Sequence, residues 1–203
     1  MTPKRSKAER TRQFIIETTA GIFNTKGYAG TSLNDLTEAT GLTKGSIYGN
    51  FENKEEVALA AFDYNLSRIK QGIQQRMDLA ATYREKLQVY GDVYRELFRN
   101  PIVVGGCPIL NTAIEADDTN NLLKDRASKA ILYWKKNIID LIRAGIATGE
   151  FREDSEPERT ALSIIALIEG GIMIAQATNT PMYLDKVLKT VDMLIGQLEK
   201  RVP

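Results

Sequence analysis

The sequence lacks several residue types on which common enzyme classes depend. It has no histidine and a single cysteine among 203 residues. No imidazole is therefore available as a general base, and an intramolecular disulfide is excluded. The single cysteine also suits a reducing cytoplasm. GxGxxG, P-loop, CxxC and HExxH motifs are missing as well, so we expect no enzyme activity, no metal and no cofactor.

Signals for membrane insertion and secretion are also missing. No apolar run is as long as a membrane span, and the N-terminal segment MTPKRSKAERTR lacks the apolar core of a signal peptide. Hydrophobic residues make up 43% of the chain and charged residues 26%, as in an ordinary soluble protein. We expect a cytoplasmic protein with no membrane partner.

The formal net charge is only +1, but the charge is unevenly distributed. Residues 1–54 contain eight Lys or Arg and five Asp or Glu, and five of those cations precede residue 13. Such a basic tail is either a solvated, disordered arm or a segment that follows phosphates or a minor groove. We favour the second interpretation and expect Arg5 and Lys7 to contact DNA.

The segment Thr31–Phe51, TSLNDLTEATGLTKGSIYGNF, predicts two short helices joined by a tight turn. Ser32 and Asp35 form a capping box for the first helix. Gly41 supplies the left-handed conformation that ends it, and Thr43 is a natural N-cap for the second. The pattern is typical of a helix-turn-helix motif.

The second helix, predicted from Lys44 to about Asn50, buries only Ile47 and leaves polar groups exposed. A short polar helix of this kind suits entry into a DNA major groove, whereas the alternative is a surface helical hairpin. Lys54, in the first turn of the next helix, is a natural phosphate site. The predicted DNA contacts in and around these helices are Thr31, Ser32, Thr43, Lys44, Gly45, Ser46, Tyr48, Asn50 and Lys54.

The run FNTKGYAGTSLNDLTEATGLTKGSIYGNFENKEEV resembles the N-terminal domain of TetR/AcrR-type transcriptional regulators, and the likeness covers roughly residues 8–64. The resemblance implies an all-α, nine-helix chain with a three-helix DNA head over 1–52 and a helical ligand-binding and dimerisation domain over 53–203. It further implies a homodimeric repressor that a small-molecule effector releases from a palindromic operator. One departure is Gly49-Asn50, which replaces the commoner aromatic-histidine pair.

Two other functions remain open from the residues alone. One is an enzyme that carries a DNA-binding head, which would have to turn over a substrate. The other is an architectural DNA binder, which would bind random and operator DNA with similar affinity.

The last two predicted helices are unusually apolar. Residues 161–175, ALSIIALIEGGIMIA, are apolar almost all round, and Ser155 with Glu158 predicts a capping box at the start of this helix. Helix nine begins at Thr180-Pro181 and carries a wide apolar stripe. Either one chain has a large core here, or two subunits form a helix bundle, as the resemblance implies. The expected dimer-interface residues are Ile168, Gly171, Ile172, Val191, Leu194 and Leu198.

A ligand pocket in the C-terminal domain is implied by the resemblance and not by any motif. The aromatic and aliphatic candidates suggest an apolar or flat effector, with Asn111 as a polar handle, although each residue could equally be plain core. The candidate lining residues are Tyr90, Tyr94, Phe98, Cys107, Asn111, Trp134 and Met173.

Two further features have competing interpretations. Cys107 lies at a predicted helix N-cap before Pro108, where a thiol could sense electrophiles or oxidants, but it could also be a small buried hydrophobe. The acids Glu115, Asp117 and Asp118 could bind a cation, but a solvated loop with an N-cap role is favoured.

Overall fold

The computed structural model describes residues 6–200, apart from the side chains of residues 98 and 99. Within that part of the chain it contains nine α-helices and one isolated antiparallel bridge between Phe151 and Glu199. The helices are α1 (Lys7–Gly30), α2 (Leu33–Thr40), α3 (Lys44–Tyr48), α4 (Lys54–Met77), α5 (Tyr83–Arg99), α6 (Pro108–Ala116), α7 (Asn121–Ala147), α8 (Pro157–Ala177) and α9 (Pro181–Gly196). The predicted all-α fold is confirmed.

Capping boxes start three of these helices. In each, the hydroxyl of the N-cap residue accepts the N–H of the third helical residue, whose carboxylate accepts the N–H of the cap. The pairs are Ser6 with Glu9, Ser32 with Asp35, and Thr82 with Glu85. The box predicted at Ser32 is thus confirmed, and the other two were not predicted.

The start of α8 differs from the prediction. The N-cap is Glu156, with no hydrogen bond from its side chain to the helix, and Pro157 is the first helical residue. The carboxylate of Glu158 binds the Nζ of Lys135 on α7 at 2.8 Å. Ser155 Oγ is buried without a hydrogen-bond partner in the described part of the chain. The predicted box of Ser155 and Glu158 is wrong, because the lysine on α7 takes the carboxylate that would complete it.

Contacts divide the chain into two compact units. The first contains Met1–Arg68 and Val103–Ala127, and thus α1–α3, α6 and the first parts of α4 and α7. Its core is a cluster of apolar side chains from the first four helices and from the segment between α3 and α4, namely Ile15, Ala20, Phe23, Leu36, Ile47, Phe51, Val57, Ala58 and Ala61. The sequence did not predict that α6 packs on α1 in this unit. The functional boundary after residue 52 stays a prediction.

The second unit contains Ile69–Ile102 and Ser128–Pro203. Here α8 and α9 pack along each other and both contact α5. A Cβ added at Gly171 would lie 3.0 Å from Leu184 Cδ1 and 3.3 Å from Val187 Cβ, so glycine allows α9 to approach α8 closely. The close approach at Gly171 is therefore a contact within one chain.

Most of the residues predicted for a dimer interface belong to this intrachain core. Ile168, Ile172 and Val191 are at most 1% exposed, Leu198 is 5% exposed, Gly171 is buried and Leu194 is half-buried. The prediction is wrong for the five buried residues, because a helix that is apolar all round does not reveal which face packs on its own chain. The large apolar residues of α8 and α9 that remain exposed are Leu162, Met173, Ile174, Met182, Tyr183 and Met193.

Among the described helices, α8 is long and apolar enough to cross a membrane by length and composition alone. It has 21 residues and a mean hydropathy of 1.7 over its most apolar window, so the expectation that no run reaches this length is wrong. Of that window, 39% is buried inside the chain. Core helices of soluble proteins pass the same test, and α8 packs as one against α9.

Candidate nucleic-acid interface

A tight turn sets the direction of α3. Gly41 ends α2 with φ 67°, the left-handed conformation that the sequence predicted, and its N–H donates to the carbonyl of Thr37. The hydroxyl of Thr43 accepts the N–H of Ser46 at 3.2 Å and so caps α3. Ile47 is the one buried residue of α3 and is 0% exposed. The predicted turn, cap and burial pattern are therefore confirmed.

The exposed face of α3 carries hydrogen-bond donors and acceptors along a helix of five residues. Lys44, Gly45 and Ser46 are exposed, and Tyr48 is half-buried with its ring 6.0 Å from Lys44 Nζ. The helix ends at Tyr48, two residues before the predicted end. Asn50 lies beyond it and donates from Nδ2 to the carbonyl of Ser46 at 2.9 Å, so one of its N–H groups is already used.

The turn between α1 and α2 uses its polar groups internally. Thr31 is 0% exposed, and its hydroxyl donates to the carbonyl of Gly27 at 2.6 Å. A DNA contact by the Thr31 side chain is thus wrong for this structure, because the hydroxyl completes the turn. Ser32 is exposed, although its hydroxyl donates to Asp35 at 2.7 Å. Hydrogen bonds from Lys26 and then from Ser32 hold the pKa of Asp35 well below its usual range.

Lys54 lies in the first turn of α4, as predicted, but its ammonium has a structural role. Nζ donates to the carbonyls of Tyr28 and Thr31, each at 2.8 Å, and lies 4.2 Å from the centroid of the Tyr28 ring. An ammonium has three N–H groups, so at most one is left for a phosphate. The phosphate contact of Lys54 stays a prediction. The sequence did not predict that its ammonium binds backbone carbonyls at the C-terminal end of α1.

Glu115 of α6 holds the other side of the same turn. Its two carboxylate oxygens accept the backbone N–H groups of Tyr28 and Ala29, each at 2.8 Å. Gly27 has φ 73°, and a Cβ there would lie 2.5 Å from the carboxylate, so glycine is required. Asp117 binds Lys124 Nζ at 2.7 Å. These contacts oppose a cation site at the acidic cluster, since Glu115 and Asp117 have partners within the chain.

Asn111 joins α6 to α1 and to the loop before α6. Its Nδ2 donates to the carbonyls of Asn24 at 3.0 Å and Gly105 at 2.8 Å. Asn24 in turn donates from Nδ2 to the carbonyls of Val104 at 2.7 Å and Gly106 at 3.1 Å. The amide N–H groups of Asn111 bind backbone carbonyls. The prediction that they form a polar handle for a ligand is therefore wrong.

The basic N-terminal segment is partly helical. Lys7 begins α1 and is exposed, as is Arg10 one turn further on. Arg5 lies outside the described residues. The expected DNA contacts of Arg5 and Lys7 stay predictions.

The predicted ligand residues fall into separate groups. Within the second unit, Trp134 stacks on Tyr94 with ring centroids 5.2 Å apart and lies 5.9 Å from Tyr90. Burial raises the pKa of Tyr90, and Trp134 Nε1 is buried without a hydrogen-bond partner in the described part of the chain. The Phe98 side chain lies outside the described residues. Met173 is 49% exposed on α8, which argues against a place in an enclosed pocket.

Cys107 belongs to the first unit and is 0% exposed. It occupies the N-cap position of α6, and Pro108 is the first helical residue, as predicted. The predicted access of reagents to the sulfur is contradicted by this burial. The geometry therefore favours the interpretation of Cys107 as a packing residue.

Comparison with known proteins relates both units to one family. A family model described as bacterial regulatory proteins, tetR family, matches residues 15–61. A second, described as tetracyclin repressor-like, C-terminal domain, matches residues 84–191. The chain belongs to the TetR family.

Individual TetR-family structures and curated relatives match almost the whole chain. The crystal structure of a TetR-family transcriptional regulator from Cytophaga hutchinsonii is 52% identical, with a TM-score of 0.95, over 98% of this chain and 100% of that one. A TetR transcriptional regulator from Chloroflexus aurantiacus J-10-FL is 40% identical, with a TM-score of 0.90, over 95% and 98%. The HTH-type transcriptional repressor DhaR of Mycobacterium sp. (strain GP1) is 26% identical over 89% of each chain.

These relatives are helix-turn-helix transcriptional regulators and not enzymes. The chain is accordingly a DNA-binding transcriptional regulator of the TetR family. The predicted family and function class are confirmed.

Proposed function

We propose that the chain is a cytoplasmic repressor that binds a palindromic operator as a homodimer and leaves it when a small molecule binds. The burial pattern of α3 carries the DNA part of this proposal. One apolar side chain, Ile47, fixes the helix, while Lys44, Ser46 and Tyr48 keep polar atoms at its surface. A head with so modest a positive charge binds DNA weakly alone, so two copies are needed for a stable complex.

Selection from a random-sequence duplex library with the purified protein tests the DNA proposal. The recovered duplexes should contain two inverted half-sites whose centres lie about 34–36 Å apart, or a multiple of that distance. Tyr48→Ala and Lys44→Ala should lose affinity for the recovered duplex and remain folded dimers. Lys136→Ala, which removes an exposed lysine of α7, is the matched control. Full affinity in Tyr48→Ala would contradict the assignment of α3, and equal affinity for random duplexes would favour an architectural role.

Exposed apolar side chains on α8 and α9 support the homodimer. Leu162, Ala166 and Met173 are all exposed and lie four and seven residues apart, so they share one face of α8. Met182 and Met193 lie eleven residues apart and share a face of α9 in the same way. Soluble proteins rarely leave large apolar residues together in water unless a partner covers them. We assign the subunit interface to these faces.

The aromatic cluster of the second unit supports a flat, largely apolar effector. Trp134 is 5% exposed, and a buried indole N–H usually has a hydrogen-bond partner. An effector with an acceptor atom at the edge of a flat ring system would supply one while its ring stacks beside Tyr90 or Tyr94. The proposal depends less on the other expected lining residues, which are Phe98, Cys107 and Met173.

Trp134 is the only tryptophan in the chain, so its fluorescence reports on this cluster directly. Compounds that release the protein from the recovered duplex should also quench the fluorescence of Trp134. Trp134→Phe keeps a ring but removes the donor, and should raise the concentration needed for release about tenfold, the cost of one hydrogen bond to a buried donor. Tyr183→Phe on the exposed face of α9 is the control. Unchanged release in Trp134→Phe would place the effector elsewhere.

A further inference from the structure

Arg12 makes its observed side-chain contacts inside the first unit. It lies on α1, and its guanidinium carbon is 3.9 Å from the centroid of the Phe51 ring. Nη1 donates to the carbonyl of Asn50, just beyond α3. Nη2 donates to Glu56 Oε1 in the first turn of α4 at 2.6 Å. One side chain of α1 thus contacts the segment after α3 and the first turn of α4.

Arg12 acts on the segment just beyond α3. The helix has five residues, and Gly49 at its C-cap has no side chain to restrict the backbone. The carbonyl of Ile47 accepts the N–H groups of Asn50 and Phe51, so it already has partners in the residues that follow the helix. The Asn50 carbonyl accepts the bond from Arg12, and this bond ties the segment after α3 to α1.

Glu56 completes the arrangement from the other side. Its Oε2 accepts the N–H of Glu52 at 2.7 Å, and its own N–H donates to Asn53 Oδ1 at 2.9 Å. The bond from Glu52 and then the bond from Arg12 lower the pKa of Glu56, so it is ionised at neutral pH. Arg12 and Glu56 together connect α1, the segment after α3 and the start of α4.

We propose that Arg12 and Glu56 are positioning residues for DNA reading: they set the orientation of α3 without themselves supplying the contacts that read the bases. The proposal rests on the DNA-reading function of α3. It competes with the simpler idea that Arg12 neutralises a phosphate.

The two ideas predict opposite changes in DNA affinity when the negative charge of Glu56 is removed. A negative charge near DNA repels phosphates, so removing it should strengthen binding to all DNA if electrostatics alone matters. If Glu56 instead positions α3 through Arg12, its removal should weaken binding to the selected sequence. The same contrast applies to Arg12→Lys, which keeps the charge but loses the planar fork that reaches Asn50 and Glu56 together.

The test measures affinity for the highest-affinity duplex recovered from the random library and for an unrelated duplex, across a range of salt concentrations. Arg12→Gln, Arg12→Lys and Glu56→Gln should each weaken binding to the recovered duplex roughly tenfold, the range of a hydrogen bond to a charged group. The slope of log affinity against log salt should match that of the wild-type protein. Affinity for the unrelated duplex should not fall in Glu56→Gln.

Two matched variants separate charge from position. Glu52→Gln removes an exposed carboxylate four residues from Glu56 that makes none of the Arg12 contacts, so it should strengthen binding to both duplexes slightly. Arg10→Gln removes an exposed cation of α1, and any loss should be equal for the two duplexes. The ion pair of Arg12 and Glu56 is more than one-third exposed on both sides, so the melting temperature should fall by no more than about 2–4 °C.

Several results would overturn the proposal. One such result is stronger binding of Glu56→Gln to the recovered duplex. Another is near wild-type binding of Arg12→Lys together with a salt slope that is about one unit smaller in Arg12→Gln. Either result would make Arg12 a phosphate contact. Additive losses in the Arg12→Gln, Glu56→Gln double variant would show that the two residues do not act together. A wild-type protein that recovers no preferred duplex would remove the premise as well, which distinguishes failure of DNA reading from failure of positioning.

Discussion

The helices α3 and α8 differ in what their exposed side chains reveal. α3 has five residues and buries one of them, and its exposed surface is polar. α8 has 21 residues and buries seven, yet Leu162 and Met173 are each 49% exposed. In α3 the polar residues themselves point to a partner. In α8 the same apolar chemistry lies on the face that packs within the chain and on the face that we assign to a second subunit.

This difference explains why one prediction was accurate and the other was not. A polar helix fixed by a single apolar residue has only one way to face its core, so the sequence identifies its outer surface. A helix that is apolar all round can be rotated without changing its pattern. Its contact faces are determined by the helices beside it, here α9 and α5.

The largest expected effect comes from removing the anchor of α3. Ile47→Ala deletes a side chain that is 0% exposed in the head core and should cost about 2–5 kcal/mol of stability, the range for large-to-small core substitutions. Calorimetry should show a lower melting temperature, and specific DNA binding should be lost. Lys44→Ala is the control, since it removes an exposed side chain and should lose binding with little change in melting temperature. Equal melting temperatures for the two variants would show that Ile47 is not the anchor.

The second prediction concerns the close packing of α8 and α9. Gly171→Leu inserts a side chain where even a Cβ would lie 3.0 Å from Leu184, and should cost about 1–3 kcal/mol because α9 must move. Chemical denaturation of the purified variant measures the loss. Gly170→Ala is the neighbour for comparison, because a Cβ there meets no atom within 4 Å. A fully stable Gly171→Leu protein that merely dissociates would place Gly171 at the subunit interface after all.

The third prediction separates the outer faces of α8 and α9 from the inner ones. Met173→Glu and Met193→Glu place charges on residues that are 49% and 65% exposed, so each subunit should stay folded. If these faces meet a second copy, each charge is buried without a partner and the dimer dissociation constant should rise at least about tenfold. Sedimentation equilibrium measures this change. A dimer as tight as the wild type would assign the interface to another surface.

The smallest expected effect is a pH dependence in the DNA head. Bonds from Lys26 and Ser32 lower the pKa of Asp35 in the folded state, so its stabilising contribution is present above the unfolded pKa of about 3.9. That contribution is lost as the pH falls towards the folded pKa. Asp35→Asn should therefore be slightly less stable than the wild type at pH 7, with the difference shrinking below about pH 4. Urea midpoints at both pH values test this, and a difference that grows in acid would contradict it.

Local sequence signals predicted much of the DNA head. The box at Ser32, the left-handed Gly41 and the cap at Thr43 involve residues at most four apart, and each lies where the sequence indicated. The sequence did not show which polar atoms have partners inside the chain. The Thr31 hydroxyl binds the Gly27 carbonyl, and two N–H groups of Lys54 bind the carbonyls of Tyr28 and Thr31, which leaves at most one for a phosphate.

Contacts over long sequence separations were also the ones that the sequence could not show. Glu115 was interpreted as a member of an acidic cluster, and only the packing of α6 on α1 reveals that its carboxylate binds the turn at Gly27. Arg12 was counted as one basic residue of a tail, although its partners lie 38 and 44 residues away. Periodicity contains no information about such pairs, because it describes one helix at a time.

The sequence by itself determined the family through the motif run over residues 8–64, and with it the nine-helix order that the resemblance implies. It also determined the exposed character of α3, because caps, glycine turns and apolar spacing act within a few residues of each other. The tertiary structure alone decided which polar groups remain available for a partner. It occupied the polar atoms of Thr31, Asn111 and Glu115 with backbone groups and buried Cys107. Packing within the chain also buried the α8 residues that were predicted for the dimer interface, Ile168, Gly171 and Ile172. The physical reason is that burial and hydrogen bonding depend on which surfaces meet, and these surfaces are brought together only when the helices pack.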